Sequence, residues 1–206
     1  MDKPFTHAIG DIHASHTNIR LYCPLFREHY TDIDDMTKGI QKILNKQIPP
    51  GGKLLFVGDL SLNFDKGLDF IKGTHFDWYW ICGNHDKTSR IHKGHIQSRQ
   101  KALRECPNIK LIADEWKIQI GAKQVLVNHF PWTDAEDERH GVKYMEYRPR
   151  RQDYPGVSFL ICGHKHSGPS ERLMDRALDV GFDGVGRATT YEEIEDIFRY
   201  LYDQIF

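Results

Sequence analysis

The chain of 206 residues is long enough for one domain with a substantial core and short for two. Hydrophobic residues at 39% and aromatics at 12% exclude an intrinsically disordered chain. Lys plus Arg (28) nearly balances Asp plus Glu (29), so no global field draws the chain to nucleic acid or an acidic membrane, although a local basic patch is compatible with it.

In chain order, short apolar runs at His7-Ala8-Ile9, Leu54–Val57, Trp78–Ile81, Val125–Val127 and Val157–Ile161 predict buried strands by their length and their β-branched and aromatic content. Helical spacing is expected over Asp34–Leu44, with Met36, Ile40, Ile43 and Leu44 on one face, and more briefly over Leu68–Lys72 and Gln97–Glu105. Tyr191–Tyr202 carries a stripe of Ile194, Ile197, Phe198 and Leu201, and Thr190 with Glu193 forms a capping box ahead of it. Trp116–Ile120 and Gln124–Val127, separated by a glycine-containing turn, predict a β-hairpin. Trp132–Pro155 is polar and aperiodic, and a loop of that length inside a compact domain points to function. Helices alternating with strands, followed by a hairpin, indicate an α/β fold with a mixed sheet or two packed sheets, taken as one domain over 1–206.

Four cysteines occur without a CxxC pair, and Cys82 and Cys162 read as small buried strand-end residues. Unpaired thiols, no signal-peptide stretch and no segment near the ~18 apolar residues of a membrane span predict a cytoplasmic protein with no membrane partner.

Each apolar run is followed by side chains that can ligate metal. Gly10-Asp11-Ile12-His13 follows the first and Gly58-Asp59 the second. Gly83-Asn84-His85-Asp86 follows the third, Asn128-His129 the fourth and Gly163-His164-Lys165-His166 the fifth. Any one of these alone could be a turn with side-chain hydrogen bonds to backbone. Five in order, at the carboxyl ends of strands where α/β sheets bind ligands, predict one convergent site.

This ordered set, spanning Asp11 to His166, resembles the signature of the calcineurin-like metallophosphoesterases. Ser15-His16-Thr17-Asn18-Ile19, Asn128–Pro131 and Asp179–Asp183 further resemble a bacterial and phage branch of small predicted phosphoesterases. The resemblance implies a four-layer αββα sandwich with a dinuclear site. Asp11, His13 and His166 would hold one metal, Asn84, His129 and His164 the other, and Asp59 would bridge them. His85 would act as a catalytic group off the metals.

Elementary chemistry agrees. Carboxylate, imidazole and amide ligands without thiolate suit two divalent ions, manganese foremost, with iron, zinc or nickel as alternatives. Such a pair, roughly 3.5–4 Å apart, clamps an in-line displacement at phosphorus and lowers the pKa of water from about 15.7 toward 7. His85 can then protonate the leaving alkoxide, Asn84 and His85 can bind the phosphoryl oxygens, and Asp86 is expected to orient a neighbouring histidine.

The chain departs from the protein Ser/Thr phosphatases of that superfamily, which carry an Asp-Arg pair after the bridging aspartate and an arginine two before the asparagine. Leu62-Asn63 and Cys82 stand at those positions. A monoester dianion loses its arginine clamp there, which favours a phosphodiester substrate. Arg139 and Arg148, in the loop with His140, Arg150 and Arg151, could reach substrate, as could His16; His7, His29, His75, His92 and His95 read as structural. A nucleotide phosphohydrolase or nuclease would use the same site, with a nucleotide or nucleic acid as partner. A single-strand binder built on Arg148–Arg151 and a non-catalytic scaffold are the rivals, the latter disfavoured because every ligand is present.

Overall fold

The computed structural model describes residues 3–133 and 144–205. In chain order it runs β1 (His7–Ile9), α1 (Ile19–Tyr22), α2 (Ile33–Gln47), β2 (Lys53–Val57), α3 (Phe64–Lys72), β3 (Asp77–Ile81) and α4 (His95–Glu105). There follow β4 (Ile109–Ala113), β5 (Glu115–Ile120), β6 (Lys123–Asn128), β7 (Val157–Cys162), β8 (Leu173–Met174), β9 (Ala177–Asp179), α5 (Phe182–Val185), β10 (Thr189–Thr190) and α6 (Tyr191–Ile205).

The helices form where periodicity and caps agree. Asp32 opens α2 by accepting from the backbone N–H groups of Asp34 and Asp35, and the helix buries Met36, Ile40 and Leu44 at successive turns. α3 begins four residues before its expected start because the Asn63 side chain accepts from Lys66 N and caps it. At α6 the reciprocal capping box is present: Glu193 N donates to Thr190 Oγ1 and Thr190 N donates to Glu193 Oε2. The hairpin pairs Ile120 with Lys123 across a two-residue turn whose first residue, Gly121, has φ 56°.

Two mixed five-stranded sheets result, in the orders β10-β1-β2-β3-β4 and β5-β6-β7-β9-β8. In each the central pairs are parallel and an antiparallel strand closes an edge. Alternate residues along each strand feed two cores. Ile9, Leu54, Phe56, Trp78 and Trp80 face α2, α3 and α4. Ala8, Leu55, Val57, Val125, Val127, Phe159 and Ile161 meet between the sheets, where α6 adds Ile194 and Phe198, the latter stacked on Phe159 at 4.5 Å. The outer face of the second sheet, with Leu126 and Leu160, is covered by Trp132 and Tyr154 from a segment bearing two short 3₁₀ turns. The two sheets flanked by helices are the sandwich that the family resemblance implies.

Register places the site. Ile9 pairs with Phe56 and Phe56 with Trp80, so β1, β2 and β3 end together; β6, β7 and β9 do the same through Val127, Ile161 and Leu178. Gly10 N donates to Val180 O at 3.0 Å and Phe182 N to Gly10 O at 2.9 Å, lacing the two sheets at this end.

Candidate metal centre

The loops beyond the strand ends continue to pair before they diverge: Asp11 N donates to Gly58 O at 2.9 Å and His13 N to Asp59 O at 3.0 Å. Asp11, His13, Asp59, His164 and His166 all hold left-handed backbone, with φ between 51° and 71°. Gly58 has to be glycine on two counts: its φ is 83°, and a Cβ would lie 2.3 Å from His129 Nδ1. At Gly83 a Cβ would fall 2.2 Å from Asp59 Oδ1, so the backbone of one loop lies directly on the carboxylate of another.

Two groups of potential ligands converge. In Asp11, His13 and His166, and again in Asp59, His129 and His164, ligand atoms lie within 4.8 Å of one another. Asp59 Oδ2 stands between the groups, 3.5 Å from His129 Nε2 and 3.7 Å from His13 Nε2. Asn84 Oδ1 lies 3.1 Å from His129 Nε2. Asp11 Oδ1 and both ring nitrogens of His13 are buried without a hydrogen-bond partner. Unsatisfied acceptors on a nearly inaccessible carboxylate and imidazole are costly unless a cation completes them, so these residues fit divalent metal.

The charges are strongly coupled. Burial pushes the Asp11 carboxyl up to about 7 against the pull of His166 and His129. Burial holds His13 well below the usual imidazole range, although Asp59 opposes it. Burial would raise Asp59 too, but His129, His13 and His85 hold it well below the carboxylate range. For His129 burial lowers the pKa and Asp59 overrides it, giving about 9; for His166 burial is overridden by Asp11 and Asp183, giving about 11. A bound cation would compete with the protons of His129 and His166.

His85 differs from the residues of the two ligand groups in being accessible. Its side chain is 38% exposed, its Nε2 lies 3.9 Å from Asp59 Oδ2, and its backbone N–H donates to Asp59 Oδ1 at 2.8 Å. His16 lies beside the group with its ring tilted and 5.4 Å from that of His13, and its Nδ1 is buried without a hydrogen-bond partner.

Support comes from residues that the sequence left unassigned. Arg27 is fully buried and donates from Nε and Nη2 to Asp183 at 2.8 and 3.1 Å. It also donates to the backbone carbonyls of Ile12 at 2.8 Å and Asp11 at 2.7 Å. Asp183 in turn accepts from His166 Nδ1 at 2.7 Å, which directs Nε2 toward Asp11. His129 is set the same way, Nδ1 donating to Val57 O at 2.9 Å. His92, read as structural, reaches the Asn84 carbonyl at 2.8 Å through Nε2. Nothing in spacing or composition marks Arg27, because it acts on backbone carbonyls distant in sequence.

Asp86 requires a correction. It orients no histidine: its two oxygens accept from the backbone N–H groups of Asp59, Leu60 and Gly83 and from Trp80 Nε1, at 2.8–3.0 Å. It is a buried anchor of the Asp59 loop.

Of the loop arginines, Arg139 and His140 lie outside the described residues. Arg148 is buried at 5% exposure, and Arg151 pairs with Asp175 at 2.9 Å across the Trp132 ring. Tyr144 and Tyr147 lean on Phe130, and Tyr144 also meets the His164 ring at 6.0 Å, so this segment walls the second ligand group with aromatics.

Residues 6–168 match the model of a family described as calcineurin-like phosphoesterase. No curated protein sequence matches the chain. Among solved structures, a protein of unknown function from Aquifex aeolicus superposes with a TM-score of 0.70 at 22% identity, covering 94% of this chain and 98% of that one. An archaeal phosphodiesterase matches at TM-score 0.40 and 15% identity over 85% of this chain and 81% of its own. Vps29 from Chaetomium thermophilum matches at 0.42 and 13% over 86% and 73%. Among the described residues no helix is long and apolar enough to cross a membrane.

Proposed function

The chain belongs to the calcineurin-like phosphoesterases, which are metal-dependent hydrolases of phosphate esters, and from that premise we propose that it cleaves a phosphodiester over two divalent ions. Asp11, His13 and His166 would hold one ion and Asn84, His129 and His164 the other, with Asp59 available to both. The observation that carries this is the position of Asp59 Oδ2, within 3.5–3.9 Å of His129, His13 and His85. Ions bound there supply an activated water and neutralise charge developing on the phosphoryl oxygens. Manganese heads the candidates, because the donors are carboxylate, imidazole and amide.

The chain's own groups supply the rest. His85, accessible and hydrogen-bonded to the bridging carboxylate through its backbone, donates its proton to the leaving oxygen. Asn84 and His16 hold non-bridging oxygens on either side. The preference for a diester rests on Arg27, which contacts the ligand loops but is committed to Asp183 and two carbonyls. A diester monoanion needs less cationic clamping than a monoester dianion. The whole chain acts as one domain, in the reducing cytoplasm that four free thiols suit.

The test strips the protein of metal and compares bis-p-nitrophenyl phosphate with p-nitrophenyl phosphate after adding Mn²⁺, Ni²⁺, Zn²⁺ or Mg²⁺. Turnover should return with metal, favour the diester and collapse in Asp59→Asn. Monoester preference would overturn the diester assignment, and failure to bind metal would overturn the site.

A further inference from the structure

Beside the first ligand group lies a cleft of about 420 Å³. His166 and Asp183 line it, so it adjoins the candidate metal centre beside His166. Its outer wall is Tyr22, Pro24 and Leu25, where Tyr22 is 70% and Leu25 58% exposed. These side chains sit at the end of α1 and just past it, outside the hydrophobic cores. The remaining charges are Glu28 and Glu171, and no Lys or Arg lines the cleft among the described residues. Its volume suits a group of nucleoside or choline size.

Taking the phosphodiesterase reading as its basis, we propose that this cleft holds one organic substituent of the ester, and that it selects an uncharged or cationic, partly apolar group over an anionic one. An apolar wall beside a metal centre gives a hydrocarbon or ring a surface to leave water against. Tyr22 offers a ring face to a cation. Glu28 and Glu171 repel a second phosphate or a carboxylate, while the phosphoryl group itself stays with the metals. The continuing backbone of a polynucleotide therefore does not run through this cleft, and the substrate on this side is a small ester.

The test uses three methylphosphonate monoesters, which carry the single charge of a phosphodiester. Their substituents are choline, its neutral isostere 3,3-dimethylbutyl, and 3-carboxypropyl. Metal uptake is verified first, then Kd is measured by calorimetry on the manganese-loaded chain. Choline should bind about two- to five-fold more tightly than the isostere, the gain of one exposed charge contact, and the isostere more tightly than the carboxylate. Glu28→Gln/Glu171→Gln should compress this spread, and Tyr22→Ala should weaken the choline and dimethylbutyl ligands together. Equal affinities, tightest binding of the carboxylate, or a spread unchanged in the double variant would overturn the proposal. Bis-p-nitrophenyl phosphate left uncleaved by the loaded chain, with the binding order intact, would overturn the hydrolytic reading alone; a chain that takes up no metal removes both.

Discussion

Replacing Arg27 with leucine removes a cation that the structure surrounds completely. Its guanidinium makes two bonds to Asp183 and two to the carbonyls of Asp11 and Ile12, and lies 4.8 Å over the Phe182 ring. Deleting one partner of a buried ion pair costs about 3–5 kcal/mol, because the other charge stays buried. The two orphaned carbonyls contribute within that range rather than on top of it, since the loop can shift toward water. For a chain of this size about 2–4 °C accompanies each kcal/mol, so thermal unfolding should fall by about 6–20 °C. Urea unfolding of Arg27→Leu, Asp183→Leu and the double variant should show the double less destabilised than the sum by about 2 kcal/mol or more. Manganese affinity of Arg27→Leu should drop about 10–100-fold, because the Asp11 loop and the His166 ring lose their support. A loss under about 1 kcal/mol, or strict additivity in the cycle, would refute the reasoning from a buried pair.

The same pair makes an acid-pH prediction. Burial would raise Asp183, but His166 and Arg27 bring it to about 2. A depressed folded pKa gives stability that is present above the unfolded value of 3.8 and lost as pH falls toward 2, about 2 kcal/mol in all, so unfolding titrations should steepen in that window and flatten in Asp183→Asn. Metal uptake at pH 7.5 should release about two protons, from His129 at about 9 and His166 at about 11, and affinity should rise with pH, steeply to about 9 and more gently to about 11. Calorimetry in buffers of different ionisation heat reads this directly, and zero release would contradict it. His85→Ala should retain metal and lower kcat about 10²–10⁴-fold; parallel loss of metal would make it a ligand instead. Asp86→Ala should cost at least about 3 kcal/mol, because three backbone N–H groups and the Trp80 indole lose their acceptor, and a chemical-denaturation curve within about 0.5 kcal/mol of wild type would refute the anchor role.

The parts of the molecule legible in the sequence are those where residue type and position agree. Asp11, His13, Asp59, Asn84, His129, His164 and His166 each follow an apolar run, and parallel register brings the run ends together. The long helices showed through periodicity and, for α6, through Thr190 as its cap, whereas the Asp32 cap of α2 emerged only in the structure. The short elements did not: β8, β9 and β10 have two or three residues, too few for alternation to register, and β4 is masked by Lys110 within an apolar run. Arg27, Asp183 and Asp86 were invisible as a unit for a different reason. Their partners are backbone groups or residues up to 156 positions away, which no local pattern encodes. Asp86 was misread because its motif neighbour His85 suggests side-chain chemistry, whereas the buried turn turns its carboxylate onto backbone.

The ligand set and its supports belong to one energetic arrangement. Five ligand candidates adopt left-handed backbone, which for non-glycine residues costs about 1–2 kcal/mol each and so about 5–10 kcal/mol together. That is comparable to the whole stability of a domain, about 5–15 kcal/mol. The conformation persists because surrounding groups over-determine it: Gly58 O receives Asp11 N, Asp59 O receives His13 N, Asp11 Oδ2 receives His164 N, and Asp86 Oδ2 receives Asp59 N. The same bonds that hold the strain also aim the side chains: the left-handed residues alternate at 11 and 13, whose side chains share the first ligand group, and at 164 and 166, whose rings go to the second and the first group respectively. Arg27 and Asp86, though they touch no reacting group, therefore set the ligand geometry more directly than their distance from the chemistry suggests: they fix the backbone from which the ligands project.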